Sequence, residues 1–181
     1  MNNIFKKDYE RLAGEPYRLS LRSIINMLVR HNFQYVYWLR KYQSNSPIKK
    51  IYRIILYMYT KKYGLEISPN AKIGEGLYLG HPYNITVNGD CKIGRNVNLH
   101  KGVTIGRENR GVREGCPTIG NNVYVGINAI IVGKIHIGND VMICPNAFVN
   151  FDVPDHSIVM GNPGIIHRKD NATDKYVINR V

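Results

Sequence analysis

Aliphatic residues recur at every sixth position along the second half of the chain. Counting in sixes from Ile119 gives Val125, Ile131, Ile137, Ile143 and Val149. A small or β-branched residue also stands four positions after each of them. A period of six fits neither an α-helix, which repeats every 3.6 residues, nor a strand, which repeats every two. It is typical of a β-helix, in which each six-residue unit is one short strand plus one turn.

The same period runs through the preceding part of the chain, with one change of phase and one long interruption. The earlier positions are Ile67, Ile73, Leu79 and Ile85, followed two residues out of phase by Ile93, Leu99 and Ile105. The change of phase coincides with Asn88-Gly89, a turn pair that we predict holds two extra residues outside the coil. The interruption, Arg107–Thr118, is polar and contains glycine, which predicts a loop that projects from a coil corner.

The first third of the chain has a different pattern, in which apolar residues lie near helical spacing. Residues 20–42 predict one helix with Ser20 as its N-cap. The segment Ser44–Pro47 interrupts this pattern, and Ser46 with Pro47 predicts the start of a second helix that Gly64 ends. The chain therefore divides into a basic helical segment, 1–62, a β-helix domain, 63–165, and a tail, 166–181.

The net charge of +12 is concentrated in the helical segment. Residues 1–62 contain thirteen Lys and Arg against three acids, a balance of +10, which leaves only +2 for the rest. Basic amphipathic helices of this kind bind anionic membrane surfaces or acidic polysaccharides. They are equally compatible with packing on the β-helix within an oligomer. Charge alone would also permit nucleic-acid binding, but no recognition motif accompanies it.

Cysteine count and apolar runs indicate a cytoplasmic location. Three cysteines at no metal-ligand spacing argue against a disulfide framework. No apolar stretch follows the charged N-terminus, so we predict no signal peptide. The longest apolar run, Ile54–Tyr59, is far shorter than the ~20 residues that a membrane-spanning helix needs. We expect a cytoplasmic protein that contacts the inner membrane face at most peripherally.

Several segments in the β-helix domain resemble the hexapeptide-repeat acyltransferases. The segments are Gly76–Tyr83, Lys101–Gly106, Pro117–Gly126 and Val153–Pro163. They are similar to serine O-acetyltransferases and most closely to the colanic-acid and capsular polysaccharide O-acetyltransferases. The resemblance implies a mainly β fold, a left-handed parallel β-helix with three hexads per coil. It also implies a homotrimer with active sites between subunits.

The resemblance assigns roles to individual residues. His81 aligns with the catalytic histidine, and imidazole is suited to act as a general base for a hydroxyl. Glu66 lies where serine acetyltransferases carry an aspartate that orients this base. Candidate residues for the acceptor pocket are His100, Lys101, Asn84, Arg107 and Cys116. The remaining histidines that we considered, His31, His136, His156 and His167, are assigned surface or hydrogen-bonding roles.

The co-substrate implied by the resemblance is acetyl-CoA, and no metal is expected. The family places the pantetheine chain in a groove between coils, where small residues allow close approach to the backbone. The candidate cofactor-binding residues are Gly106, Gly126, Ile127, Asn146, Ala147, Arg168 and Lys169. We expect the last two to meet the phosphates of the cofactor.

Three departures from the serine acetyltransferase pattern decide the expected acceptor. Gly80 replaces an aspartate, and Gly115 and Cys116 replace an arginine and a histidine that help to bind the amino acid. We therefore expect a sugar hydroxyl of a capsular or extracellular polysaccharide, or of its precursor, as the acceptor. The alternatives are a serine O-acetyltransferase, a non-catalytic scaffold or glycan-binding module, and a β-helical carbonic anhydrase with several histidines on zinc.

Overall fold

The computed structural model describes residues 3–44 and 46–181, in which four helices precede fifteen short strands. The helices are α1 (Asn3–Ala13), α2 (Leu21–Val29), α3 (His31–Gln43) and α4 (Lys49–Tyr63). The strands are β1 (Glu66–Ile67), β2 (Lys72–Ile73), β3 (Tyr78–Gly80), β4 (Thr86–Val87), β5 (Lys92–Ile93), β6 (Asn98–His100), β7 (Thr104–Gly106), β8 (Thr118–Ile119), β9 (Tyr124–Val125), β10 (Ile130–Val132), β11 (His136–Ile137), β12 (Val141–Ile143), β13 (Phe148–Val149), β14 (Ser157–Met160) and β15 (Ile165–Arg168).

The strands form the three sides of a parallel β-helix, which confirms the predicted fold class. Sheet A has the order β1-β4-β7-β10-β13, sheet B the order β2-β5-β8-β11, and sheet C the order β3-β6-β9-β12-β14-β15. Pairing is parallel throughout except between β14 and β15. The chain passes from sheet A to B to C in every coil, so three columns of turns arise, called here the A–B, B–C and C–A corners.

Aliphatic side chains from successive coils stack inside the β-helix. In sheet A the register places Ile67, Val87, Ile105, Ile131 and Val149 in one column, and each is at most 3% exposed. Burying one such side chain contributes about 1.5–3 kcal/mol relative to leaving it in water. The six-residue period of the sequence is therefore the spacing of these inward positions.

The two extra residues lie between the first and second coils, in a different corner from the one predicted. Leu79 and Val87 occupy equivalent inward positions in β3 and β4, and they are eight residues apart instead of six. The prediction that Asn88-Gly89 holds the extra residues is wrong, because this turn has ordinary length. The Cys91 amide donates to the Asn88 carbonyl, as the Ala71 amide does to Ser68 one coil earlier. The lengthened corner is 80–85.

Residues 107–117 separate β7 from β8 and form an excursion at the A–B corner. Glu108 and Gly115 exchange two backbone hydrogen bonds of 2.9 Å across its base. The Lys134 amide in the next coil also donates to the Arg113 carbonyl, at 2.8 Å. The excursion is therefore closed on itself and attached to the following coil.

The helical segment differs from the sequence prediction in three respects, the first being helix α1, which the sequence analysis does not predict. Ser20 caps α2 through a capping box with Ser23, as predicted, and Gly64 ends α4 in a left-handed conformation with φ of 67°. The single helix predicted for residues 20–42 is wrong, because the chain extends at Arg30 and separates α2 from α3. Helix α4 begins at Lys49, whose amide donates to the Ser46 carbonyl in a turn before the helix, so Ser46 does not cap it. Asn45, within the predicted interruption, lies outside the described residues.

Helices α1 and α3 are joined to the first coil by a buried ion pair. The Arg40 Nε atom donates to Asp8 Oδ2 at 2.7 Å, and both residues are almost fully buried. Arg40 also donates to the carbonyls of Ile73 and Gly74, and Asp8 accepts from the amides of Gly76 and Leu77. These bonds satisfy both charges and fix the helical segment to sheet B and the B–C corner. Among the described helices, none has the length and apolar character that a bilayer crossing requires.

Candidate functional site

His81 lies at the lengthened C–A corner, directly after β3. Its backbone has a positive φ of 47°, a conformation that non-glycine residues seldom adopt. The Tyr83 amide donates to the His81 carbonyl at 2.8 Å and forms a tight turn immediately after it. The imidazole is exposed. The corner therefore presents the histidine to solvent at the edge between sheets C and A.

Backbone hydrogen bonds hold the rest of this corner on both sides. The Asn84 amide donates to the Tyr63 carbonyl at the end of α4, and the Gly102 amide in the next coil donates to the Tyr83 carbonyl. The Asn84 side chain occupies the space above Gly64, where any Cβ atom would collide with it. Asn84, predicted in the acceptor pocket, thus has a packing role in fixing the corner to the end of α4.

His100 lies beside His81 and fills the space above Gly80. A Cβ atom at position 80 would lie only 2.5 Å from the His100 Nδ1 atom, so a side chain there would displace the ring. The ring packs between Tyr78 and Tyr124, with centroid distances of 6.2 and 4.7 Å. Its Nε2 atom is buried and has no hydrogen-bond partner among the described residues.

Burial, together with the nearby His81 ring, lowers the pKa of His100 to about 4. At neutral pH His100 is therefore uncharged and does not compete with His81 for a proton. Lys101 follows His100 in the same corner and is exposed. Its backbone amide donates a hydrogen bond to the Gly80 carbonyl at 3.1 Å. The structure thus brings His81, His100 and Lys101 together at one corner.

Glu66 lies one coil before the end of this corner. It pairs in register with Thr86, the first strand residue after the corner, and its side chain is exposed. In the described part of the chain, no hydrogen bond or ion pair joins the Glu66 carboxylate to the His81 ring. The register places both residues at the same edge of the β-helix without direct contact between them.

Two predicted acceptor residues lie at the A–B corner instead. Arg107 makes exposed ion pairs with Asp90, at 3.2 Å, and with Glu114, at 3.5 Å. The Cys116 thiol lies 3.3 Å from the Asn88 Oδ1 atom and packs against the core. Within one chain, sheet A separates these side chains from His81.

The predicted cofactor residues are divided among all three corners. Ile127 and Asn146 lie in the column of His81, where the Asn146 amide donates to the Ile127 carbonyl at 2.8 Å. Gly126 also lies there, and a Cβ atom on it would approach the Pro145 nitrogen to 2.7 Å. Ala147 is buried in the core. Its side chain therefore does not line a groove.

The other cofactor candidates lie away from the C–A corner. Gly106 ends β7 on the side of the A–B corner. The Arg168 side chain donates a hydrogen bond to the Asp155 carbonyl, and the Lys169 backbone amide donates to the His156 carbonyl. Both acceptors lie at the B–C corner. A single chain therefore does not gather the seven predicted residues into one groove.

His31, for which the sequence predicts a surface or hydrogen-bonding role, lies against the corner that carries His81. Its ring stacks on Tyr63 and contacts Tyr83 edge-on. No local motif marks this contact, since fifty residues separate the two histidines. Among residues 3–44 and 46–181, no group of three or more His, Cys, Asp or Glu side chains is arranged to hold a metal ion.

Comparisons with known proteins return one family consistently. Residues 116–150 match the family model described as bacterial transferase hexapeptide (six repeats). The chain is 33% identical to a serine acetyltransferase of Staphylococcus aureus strain Mu50 over 152 residues, 84% of this chain and 67% of that protein. It is 38% identical to a serine acetyltransferase of Helicobacter pylori over 107 residues, 59% of this chain and 63% of that protein.

A solved structure shows the same likeness across the helices and the β-helix. The serine acetyltransferase of Neisseria gonorrhoeae in complex with serine superposes with a TM-score of 0.75 at 25% identity. The superposition covers 91% of this chain and 67% of that one. The likeness therefore includes most of the described helical segment as well as the coils.

The expectation of a sugar acceptor and a polysaccharide pathway is wrong, because the relatives are serine acetyltransferases. The expected closer likeness to colanic-acid and capsule enzymes is likewise not what the comparisons return. The residues behind that expectation are Gly80, Gly115 and Cys116. The space at Gly80 is filled by His100, and Gly115 and Cys116 lie at another corner of the chain. Within one chain, none of the three leaves a vacancy beside His81.

We predict that Gly80 and His100 are energetically coupled. Gly80→Ala should lower the free energy of unfolding by about 1–3 kcal/mol, because the new methyl group overpacks the His100 ring. In a His100→Ala background the same substitution should cost at least 0.5 kcal/mol less, since the ring that it displaces is gone. Urea unfolding of the four proteins of this cycle measures the coupling. Additive effects would contradict the packing described for this pair.

Proposed function

The chain belongs to the hexapeptide-repeat transferase family, together with bacterial serine acetyltransferases, and from this we propose that it transfers the acetyl group of acetyl-CoA to the hydroxyl of serine. The observation that supports the proposal is the C–A corner. There the exposed His81 stands beside a neutral His100, in a chain similar along most of its length to a serine acetyltransferase solved with serine.

In the proposed reaction His81 is the general base. Its ring accepts the proton of the serine hydroxyl as the hydroxyl oxygen attacks the thioester carbonyl carbon. The tetrahedral intermediate then expels the thiolate of CoA, which takes the proton back from the imidazolium ring. The products are O-acetylserine and free CoA. Because His100 stays neutral, it places no positive charge beside the imidazolium as it forms.

Glu66 and Lys101 complete the proposed site. We propose that Glu66 orients the His81 ring when substrate is bound, since its register with Thr86 places it at the same edge. Lys101 is the exposed cation nearest in sequence to His100, and it suits the carboxylate of serine. We further propose a homotrimer, in which the A–B corner of a neighbouring subunit brings Arg107 and Cys116 toward this site.

Replacing the base tests the proposal directly. His81→Ala should lower kcat for O-acetylserine formation by about 10²–10⁴, the usual contribution of a general base. Mass spectrometry of reactions with acetyl-CoA and L-serine measures the product. His136→Ala is the matched control, because His136 is also exposed but lies on sheet B.

Two results would contradict this assignment. Equal rates for the wild type and His81→Ala would exclude His81 as the base. A folded wild-type protein that forms no O-acetylserine would favour the alternative of a non-catalytic scaffold.

For the helical segment we propose contact with an anionic lipid surface. Ile51, Ile54 and Met58 lie on the outward face of α4, and each is more than half exposed. Lysines flank this face, and α4 contains no acidic residue. The three acids of the segment are already paired with Arg40, Lys7 and Arg22. A cationic helix with an apolar outer face suits negatively charged lipids, whereas other copies of this helix would repel it.

Vesicle binding tests this contact. The protein should sediment with vesicles of phosphatidylcholine and phosphatidylglycerol, and should bind weakly to phosphatidylcholine alone or in high salt. Ile54→Ser with Met58→Ser should reduce binding several-fold, because the apolar contribution is lost. Lys72→Ser, a change of an exposed residue on sheet B, is the control. If the double substitution instead dissociates an oligomer and leaves vesicle binding unchanged, the face is an interface between copies.

A further inference from the structure

Three aromatic rings connect the helical segment to the corner that carries His81. The His31 ring, at the start of α3, stacks on Tyr63 with centroids 4.5 Å apart and an interplanar angle of 13°. It meets Tyr83 edge-on at 5.3 Å. Tyr63 and Tyr83 also contact one another, at 5.7 Å. The three rings therefore form a closed cluster that joins α3, α4 and the corner 80–85.

His31 also contacts the backbone of the residue next to His81. The Pro82 carbonyl lies close enough to this ring to accept a hydrogen bond from it. Burial, and to a smaller degree the charge of Lys62, lowers the pKa of His31 despite the Pro82 carbonyl. The ring is therefore neutral at neutral pH.

This corner needs support from outside the β-helix. It holds two residues more than the other C–A corners, and within it both His81 and Asn84 have positive φ. Such conformations persist only where surrounding contacts determine them. The bonds of the Asn84 amide and of the Tyr83 carbonyl fix the far end of the corner. His31 packs against this corner through the Tyr83 ring and lies beside the Pro82 carbonyl, directly after His81.

We propose that His31 is a positioning residue for the base. By fixing the Pro82 carbonyl and the Tyr83 ring, it sets the direction in which the His81 imidazole points. The inference rests on the proposed function for its effect on catalysis, but the contact itself does not depend on that function. It gives the helical segment a role in the reaction without contact with either substrate.

Two substitutions separate the hydrogen bond from the ring stacking. His31→Phe keeps a ring on Tyr63 but removes the donor to Pro82. His31→Asn keeps an N–H donor on a short side chain but removes the ring. We expect His31→Phe to lower kcat about tenfold to hundredfold, as small misplacements of a catalytic group do, with the KM for acetyl-CoA unchanged. His31→Asn should restore most of kcat.

His167→Phe is the matched control, because His167 is exposed on β15 and far from the corner. Hydrogen–deuterium exchange of peptides that contain residues 80–86 supplies a readout that needs no activity. Exchange at Tyr83 and Asn84 should become at least several-fold faster in His31→Phe, and exchange in the core strands should not change.

The outcomes distinguish this inference from the proposed function. If the wild type does not acetylate serine, the proposed function fails, and faster exchange in His31→Phe would still support the anchoring contact. If the wild type is active and His31→Phe changes neither kcat nor exchange in the corner, the positioning role is overturned. A parallel loss of stability and activity in both His31→Phe and His31→Asn, without rescue, would also overturn it, since that is the result of a purely structural role.

Discussion

Hydrogen bonding between successive coils constrains this structure more than any other interaction. Each strand pairs in parallel with the equivalent strand of the next coil, so the chain must return to the same register after every circuit. Thr86 and Thr104 are one coil and eighteen residues apart. Any residues beyond that number have to leave the β-helix at a corner, because a shift within a strand would turn its inward side chain to the surface.

The chain departs from the regular coil at two corners, and both corners carry polar or charged side chains. The excursion at 107–117 carries exposed charges that pair with one another. The lengthened corner at 80–85 carries His81. Because strand pairing continues unchanged on both sides of each, the rigid coils supply fixed positions while the corners are free to vary. Function is thereby separated from the residues that maintain the fold.

The helical segment is part of this arrangement and not an independent appendage. Its buried pair, Asp8 with Arg40, satisfies backbone groups of the first coil, so removing either partner would leave a buried charge. The same segment supplies His31 and the Tyr63 carbonyl to the corner. The helices therefore cover the end of the β-helix at the first coil. The same helices also support the corner that carries His81.

Much of the fold could be predicted from the sequence, because its period is local and each inward position is aliphatic. The sequence places the phase change in the wrong corner because Ile85 is apolar, fully buried and six residues after Leu79. Ile85 nevertheless lies in the corner, and the inward strand residue that follows Leu79 is Val87. The acceptor was wrongly inferred from residues that are absent, since the sequence does not show that the His100 ring fills the space at Gly80. The contact between His31 and the corner likewise depends on tertiary packing.

The central claim is that the chemistry takes place at the corner of His81. A crystal structure of the protein with L-serine and CoA tests it most directly. The account predicts the serine hydroxyl oxygen about 2.6–3.2 Å from a ring nitrogen of His81, with the CoA thiol reaching the same corner. Serine bound elsewhere, beyond the reach of His81 from any subunit, would contradict it.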